Sequence, residues 1–204
     1  MSTLLLVQSS LSGEDGQSSQ LASRFVAQWA ARNPNGRIVT RNLSSEPVPH
    51  LTAEGFRAFV TPAENRTVAQ QAVVNYSDKL IAELTGADVV VFAVPMHNFS
   101  VPSVLRSYFD HVARAGVTFR YSASGPEGLL KGKRAYVFIT RGGILPDAAD
   151  TQTPYLRQFL GFIGLTDVEF VHAQGLAFSE DIREKSLDTA RHSIAKLLPA
   201  LEAA

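Results

Sequence analysis

Residues 88–116, DVVVFAVPMHNFSVPSVLRSYFDHVARAG, read in order as a buried strand, a tight loop and a helix. Val89 to Val94 is an unbroken apolar run rich in β-branched residues, the pattern of a parallel strand covered on both faces. It stops at Pro95. After Met96-His97-Asn98-Phe99, Ser100 can cap a helix and Pro102 can stand in its first turn, where an N–H has no partner inside the helix anyway. Val101, Val104, Leu105, Tyr108, Phe109 and Val112 then recur on one helical face, with Arg114 in the last turn and Gly116 as the stop.

The same grammar repeats along the chain. Thr3 to Val7 is a second continuous apolar run, followed by the polar loop SSLSGEDGQSSQ and a helix with Leu21, Ala22, Phe25, Val26 and Trp29 on one face. Ser18 or Ser19 is the expected cap, so free N–H groups and the positive end of the helix dipole point into that loop and favour a phosphate there. No Walker sequence and no G-x-G-x-x-G follows, and Glu14 and Asp15 oppose an anion nearby. Arg37 to Leu43 alternates and suits a sheet edge. Ser44 to Thr67, with Pro47, Pro49 and Pro62, reads as a surface insertion, a lid or a subunit contact, and its lone His50 carries no chemistry. Val68 to Thr85 is helical. Val117 to Tyr121 with Ser122 to Gly128 reads as a hairpin or an extended excursion. Ala135 to Ile139 is the next core strand, ending in the glycine-bearing turn Thr140-Arg141-Gly142-Gly143. A helix over Thr153 to Ile163, an alternating strand over Val168 to His172 and a last helix over Ile182 to Leu198 complete the pattern.

Strands alternating with helices predict an α/β fold, a three-layer doubly wound parallel sheet with right-handed crossovers, as one domain over 1–204. Continuous runs belong at the centre of such a sheet and alternating ones at its edges. The five strands therefore take the order 2-1-3-4-5 of the flavodoxin-like type. Ligands of open α/β sheets bind past the carboxyl ends of the strands at the point where the order reverses. The loops Ser9 to Ser18 and Met96 to Phe99 flank that crevice, and Thr140 to Gly143 forms its third wall.

Composition narrows the chemistry. Nineteen basic residues balance nineteen acidic ones, which gives no electrostatic footprint for nucleic acid or an anionic membrane. With no cysteine there is no disulfide, thiolate nucleophile or Cys-ligated metal, in keeping with a cytoplasmic location. The N-terminus lacks the marks of a signal peptide, and no apolar run reaches the ~20 residues of a membrane span. No clustered carboxylates, Gly-x-Ser-x-Gly elbow or His-Glu-x-x-His motif is present, so neither a metal nor a catalytic side chain is expected. A phosphate cradle beside an apolar, amide-lined slot describes a mononucleotide with a flat ring. FMN is the redox-active one this topology commonly holds, and hydride chemistry would then reside in the flavin.

Taken together, the early Ser-Ser and Gln-Ser, Pro95-Met96-His97-Asn98-Phe99, ARAGVTFRY at 113–121, GPEGL from Gly125, Arg141-Gly142-Gly143 and FLGFIG at 159–164 resemble the bacterial FMN-dependent NADH:quinone oxidoreductases, also called azoreductases. The resemblance covers nearly the whole chain. It implies a homodimer that carries two electrons from NADH or NADPH to quinones and azo aromatics by a ping-pong route through non-covalent FMN. It also implies that Ser10, Gly16, Gln17 and Ser18 hold the phosphate and ribityl chain, that Met96, His97, Asn98 and Phe99 line the ring, and that Thr140, Arg141, Gly142 and Gly143 face its pyrimidine edge. Asn98, Tyr121 and Phe162 would form the substrate pocket, the two aromatics closing it across the dimer. Many members have Ser in place of Gly16, Tyr in place of His97 and often His in place of Leu145. A position that accepts Tyr casts His97 as a packing residue, and His172 reads as structural. The competing readings are a flavodoxin-like electron carrier, which would show an acidic docking face, and a cofactor-free binding protein on the same fold.

Overall fold

A computed structural model describes residues 2–198. In chain order the elements are β1 (Thr3–Gln8), α1 (Gln17–Arg32), β2 (Arg37–Asn42), α2 (Ala53–Val60), α3 (Val68–Gly86), β3 (Val89–Pro95) and α4 (Ser103–Val112), then β4 (Phe119–Ser122), β5 (Gly125–Gly128), β6 (Arg134–Thr140), α5 (Gln152–Ile163), β7 (Asp167–Ala173) and α6 (Glu180–Leu197). The main sheet runs β2-β1-β3-β6-β7 with every pair parallel, and β4 and β5 form a separate antiparallel hairpin. Counting sheet strands alone, this is the predicted 2-1-3-4-5 order. The final residues of the 1–204 span lie outside the described residues.

The three central strands are buried on both sides, so their alternate residues feed two cores. Leu5, Val7, Val90, Phe92, Val94, Val137 and Ile139 pack with Leu80 and Leu84 of α3, Leu105 and Phe109 of α4, and Leu156 and Leu160 of α5. On the opposite face Leu4, Leu6, Val91, Tyr136 and Phe138 meet Phe25 and Trp29 of α1 and Leu187 and Ile194 of α6. Phe25 sits between Tyr136 and Phe138, with ring centroids at 4.3 and 5.6 Å. These layers hold the carboxyl ends of β1, β3 and β6 in register: Gln8 lies beside Ala93, and Pro95 beside Thr140.

Several local expectations are corrected. The cap of α1 is Gly16, and Ser18 and Ser19 stand inside its first turn. The cap of α4 is Pro102 rather than Ser100, because the Ser100 backbone is taken up in closing the preceding loop. That helix ends at Val112, so Arg114 is not in its last turn. The Arg114 side chain is buried instead, donating to Ser77 Oγ at 3.1 Å and to Asp78 while its guanidinium lies 4.9 Å over the Phe59 ring. It thereby pins α2 and α3 to the end of α4. The insertion Ser44 to Thr67 contains a helix that its prolines hid: Thr52 caps α2 by accepting from Gly55 N at 3.1 Å, and Gly55 and Ala58 are buried.

Candidate active site

Three loops meet at the carboxyl ends of β1, β3 and β6. In the first, Ser9 donates to Ala93 O through both its N–H (3.1 Å) and its hydroxyl (2.8 Å), which ties the start of the loop to β3. Ser10 is buried, its Oγ accepts from Ser12 N at 3.3 Å, and a single turn over Gly13–Asp15 leads to Gly16. A Cβ at Gly16 would lie 2.0 Å from Ser10 Oγ, so the Ser10 hydroxyl fills the space a side chain there would need. No side chain caps α1, and its first-turn N–H groups have no partner within the helix. Behind them the Ser18 and Ser19 hydroxyls are fully buried and lack a hydrogen-bond partner among the described residues. Buried hydroxyls are rarely left this way, because an unmade bond costs about 1–3 kcal/mol. Uncapped N–H groups backed by two hydroxyls with bonding capacity in hand fit an oxyanion such as a phosphate.

The second loop is a two-residue reversal. His97 N donates to Ser100 O (3.0 Å) and Ser100 N to His97 O (2.9 Å), leaving Asn98 (φ 48°) and Phe99 (φ 61°) both left-handed. Asn tolerates this region, but for Phe it costs roughly 1–2 kcal/mol. That strain is borne by an aromatic residue 68% exposed, and strain of this kind gathers at ligand-facing turns. Met96 and His97 are half-buried, and Met96 N donates to Thr140 O at 2.8 Å.

In the third loop the carbonyls of Arg141, Gly142 and Gly143 accept from the N–H groups of Leu176, Ala177 and Gly175 (3.1, 3.0 and 2.9 Å). The turn is thus fixed from behind. The N–H groups of Gly142 and Gly143 donate to nothing among the described residues, and a Cβ at Gly143 would meet nothing within 4 Å. Bare backbone donors on an open surface suit the edge of a heteroaromatic ring.

Arg141 faces the other way. Its buried guanidinium donates to Asp150 Oδ1 (2.6 Å), Thr153 Oγ1 (3.2 Å) and Gln152 Oε1 (3.4 Å), and its N–H donates to Ala173 O (2.9 Å), so Arg141 fixes the turn rather than offering a donor to a ligand. Burial alone would raise the Asp150 carboxyl, but hydrogen bonds from Arg141, Thr153 and Gln152 together outweigh it and hold the group well below the usual carboxylate range. Gln152, fully buried, donates from Nε2 to Pro95 O at 3.1 Å, and Thr151 Oγ1 donates to Phe99 O. The start of α5 therefore braces both the second and the third loop. The apolar pattern over Thr153 to Ile163 marks the helix but not this bracing, because the reach of Thr151 and Gln152 to Phe99 and Pro95 is long-range. His172 Nε2 lies 3.0 Å from Thr153 Oγ1 at the outer end of this network; burial and the Arg141 charge push its pKa down.

Tyr121 and Phe162 gather around Phe119, at 5.6 and 4.2 Å between ring centroids, on the hairpin side of the site. Tyr121 is 74% exposed. Phe162 is half-buried and lines an apolar cavity of about 500 Å³ with Pro126, Tyr155, Gln158 and Phe159. The cavity that Phe162 lines shares no lining residue with the one that His97 and Asn98 line.

The family model for the flavodoxin-like fold matches residues 2–198. The FMN-dependent NADH:quinone oxidoreductase of Cellvibrio japonicus (strain Ueda107) is 50% identical over 201 residues, covering 98% of this chain and 100% of that one. Its namesake from Azotobacter vinelandii is 48% identical over 198 residues, covering 97% and 100%. The chain belongs to this family of flavodoxin-like oxidoreductases. Among solved structures, an azoreductase from Bacillus anthracis str. Sterne superposes with a TM-score of 0.88 at 28% identity, covering 97% of this chain and 98% of that one. The family expected from the motifs is thus borne out. For this oxidoreductase the Gly16 departure also has a physical partner, the Ser10 hydroxyl that occupies the space.

Proposed function

We propose that the crevice holds FMN non-covalently and that the enzyme, as one domain, passes electrons two at a time from NADH or NADPH to quinones and to azo compounds, an azo bond taking two such rounds, four electrons and four protons in all, to be cleaved to two amines. The observation that carries this reading is the convergence of an uncapped helix start, backed by two unpartnered buried hydroxyls, with a strained aromatic turn and a glycine turn baring its N–H groups. FMN supplies the hydride acceptor and donor chemistry when bound. Ser10, the N–H groups of Gln17 and Ser18 and the Ser18 hydroxyl would hold its phosphate end, Gly16 admitting Ser10 to the cradle. Met96, His97, Asn98 and Phe99 would line its ring. The N–H groups of Gly142 and Gly143 would stabilise negative charge at the pyrimidine edge, with Thr140 and Arg141, whose backbone groups are bonded to Met96, Ala173 and Leu176, holding that turn in place beside it. No proton-transferring side chain is needed, and the donor leaves before the acceptor enters, as in a ping-pong scheme.

One domain leaves a ring at these loops open to water on its outer side, whereas hydride transfer is favoured where water is excluded. A second copy of the chain could close that side with Tyr121 and Phe162, so the working unit is proposed to be a homodimer with two equivalent sites, located in the cytoplasm. No helix among the described residues is long and apolar enough to cross a membrane, and those residues show no cluster of potential metal ligands. The test is a fluorescence titration of flavin-free protein with FMN, paired with light scattering. Stoichiometric quenching by a dimer supports the proposal. Absence of FMN binding by protein whose circular dichroism is intact refutes it, and a fully active monomer refutes the dimer.

A further inference from the structure

Beside the Asn98–Phe99 turn lies a second cavity, of about 450 Å³, whose lining includes Leu11, His50, His97, Asn98, Ser103 and Arg106. It is continuous with the proposed ring site through His97 and Asn98, yet none of its other lining residues has a part in holding FMN. Its chemistry is one-sided. The Arg106 guanidinium is exposed, with a 3.9 Å approach to Asp110, a position 5.1 Å over the Tyr155 ring and a side-chain hydrogen bond to Tyr155, which leaves other donors of its fork for a ligand. His50 uses Nδ1 in a 2.9 Å hydrogen bond with Ser107 Oγ, which leaves Nε2 for a ligand. Its backbone is anchored because Pro49 O accepts from His111 Nε2 at 3.1 Å. At the floor α4 begins without a side-chain cap: Pro102 O is taken up by Leu105 N and Arg106 N, and the N–H groups of Ser103 and Val104 have no helical partner. No carboxylate lines the cavity, and Leu11, Val101 and Pro102 give it an apolar side.

From this we infer that the cavity is a subsite for an anionic group, a phosphate or a sulfonate, carried by a substrate whose reacting ring stands at the Asn98–Phe99 turn. An arginine, two imidazoles and uncapped helix N–H groups converge there, a donor set matched to a multi-oxygen anion and to little else. The two sources of such a group are the pyrophosphate of a nicotinamide dinucleotide and the sulfonate of an aromatic azo acceptor. The subsite would confer preference for charged substrates over neutral ones without touching the reacting atoms. The inference rests on the FMN reading for where the reacting ring stands, though not for the anion site itself.

The test uses Arg106→Ala and His50→Gln, both at exposed positions whose loss leaves the core intact. In FMN-loaded enzyme each variant should raise KM for the anionic substrate roughly tenfold, the effect of losing one charge-assisted hydrogen bond, while kcat, FMN affinity and KM for an uncharged quinone stay as in wild type. A change for NADH alone identifies the phosphate source, for a sulfonated azo dye alone the sulfonate source, and for both a general anion subsite; each supports the inference. Equal effects on the neutral quinone, or none on either anionic substrate, overturn it. Calorimetric titration of flavin-free protein with ADP-ribose and with benzenesulfonate supplies a readout independent of turnover. Weak, salt-sensitive binding of either that is lost in Arg106→Ala supports the subsite even if FMN binding fails, whereas no binding of either to wild type, together with unchanged KM values, refutes it.

Discussion

Asp150→Ala should be among the most damaging single changes outside the hydrophobic core. Asp150 Oδ1 accepts from Arg141 Nη2 at 2.6 Å and from the N–H groups of Gln152 and Thr153 at 3.0 Å each, so one carboxylate both neutralises Arg141 and caps α5. The Arg141 side chain is 2% exposed. Removing one partner of a buried ion pair costs about 3–5 kcal/mol, because the remaining charge is left uncompensated, and a lost cap adds about 1. Thr153 Oγ1 and Gln152 Oε1 still reach the guanidinium, which places the expected loss near the lower end, about 3 kcal/mol, or roughly 6–12 °C in Tm for a chain of this size. The acid limb of stability should change with it. Asp150 has a depressed folded pKa, so its contribution is full above the unfolded carboxyl value of about 4 and is lost as the pH falls below that. His172 is also depressed and is held neutral in the fold, so acidification below about 6.5 already favours the unfolded chain, which takes up the proton more readily. Urea unfolding of wild type at a series of pH values should therefore show stability falling first below about pH 6.5 and again below about pH 4, with the second fall reduced in Asp150→Ala. A loss under about 1 kcal/mol at neutral pH would refute the account of Arg141 as a buried charge held by one carboxylate.

Phe25→Ala empties the space between Tyr136 and Phe138 and should cost about 3–5 kcal/mol by urea denaturation, with FMN affinity little changed once the protein is folded. Gly16→Ser, which introduces a residue common in the family, must displace Ser10, whose Cβ (2.6 Å) as well as Oγ (2.0 Å) stands against the added Cβ; FMN affinity, read by flavin fluorescence, should fall several-fold, and an unchanged affinity would count against Ser10 as part of the cradle. Phe99→Gly relieves a left-handed aromatic residue and should stabilise the free protein by about 1 kcal/mol in thermal melts while raising KM for quinone.

The sheet order was legible because β1, β3 and β6 are continuous apolar runs while β2 and β7 alternate, and that difference reports burial on two faces or one. Which loops form the crevice followed from the order alone. What a residue does within its loop was less legible. Ser18 and Ser19 have the chemistry of a cap, yet the extended backbone ends at Gly16 and the helix begins at Gln17, so both serines stand inside the first turn with buried hydroxyls. Arg141 sits in a ring-facing motif, yet its side chain answers to Asp150, nine residues on in a helix start that the apolar pattern alone did not define. His50 looked inert in a proline-rich insertion and lines a cavity only because α4 brings Ser107 and Arg106 to it.

The central claim is that one bound FMN serves two substrates in turn. Anaerobic mixing of FMN-loaded enzyme with NADH, without an acceptor, should bleach the visible absorbance of the oxidised flavin at a rate no slower than turnover, with colour returning on addition of quinone. Flavin that stays oxidised until quinone is present would contradict the account.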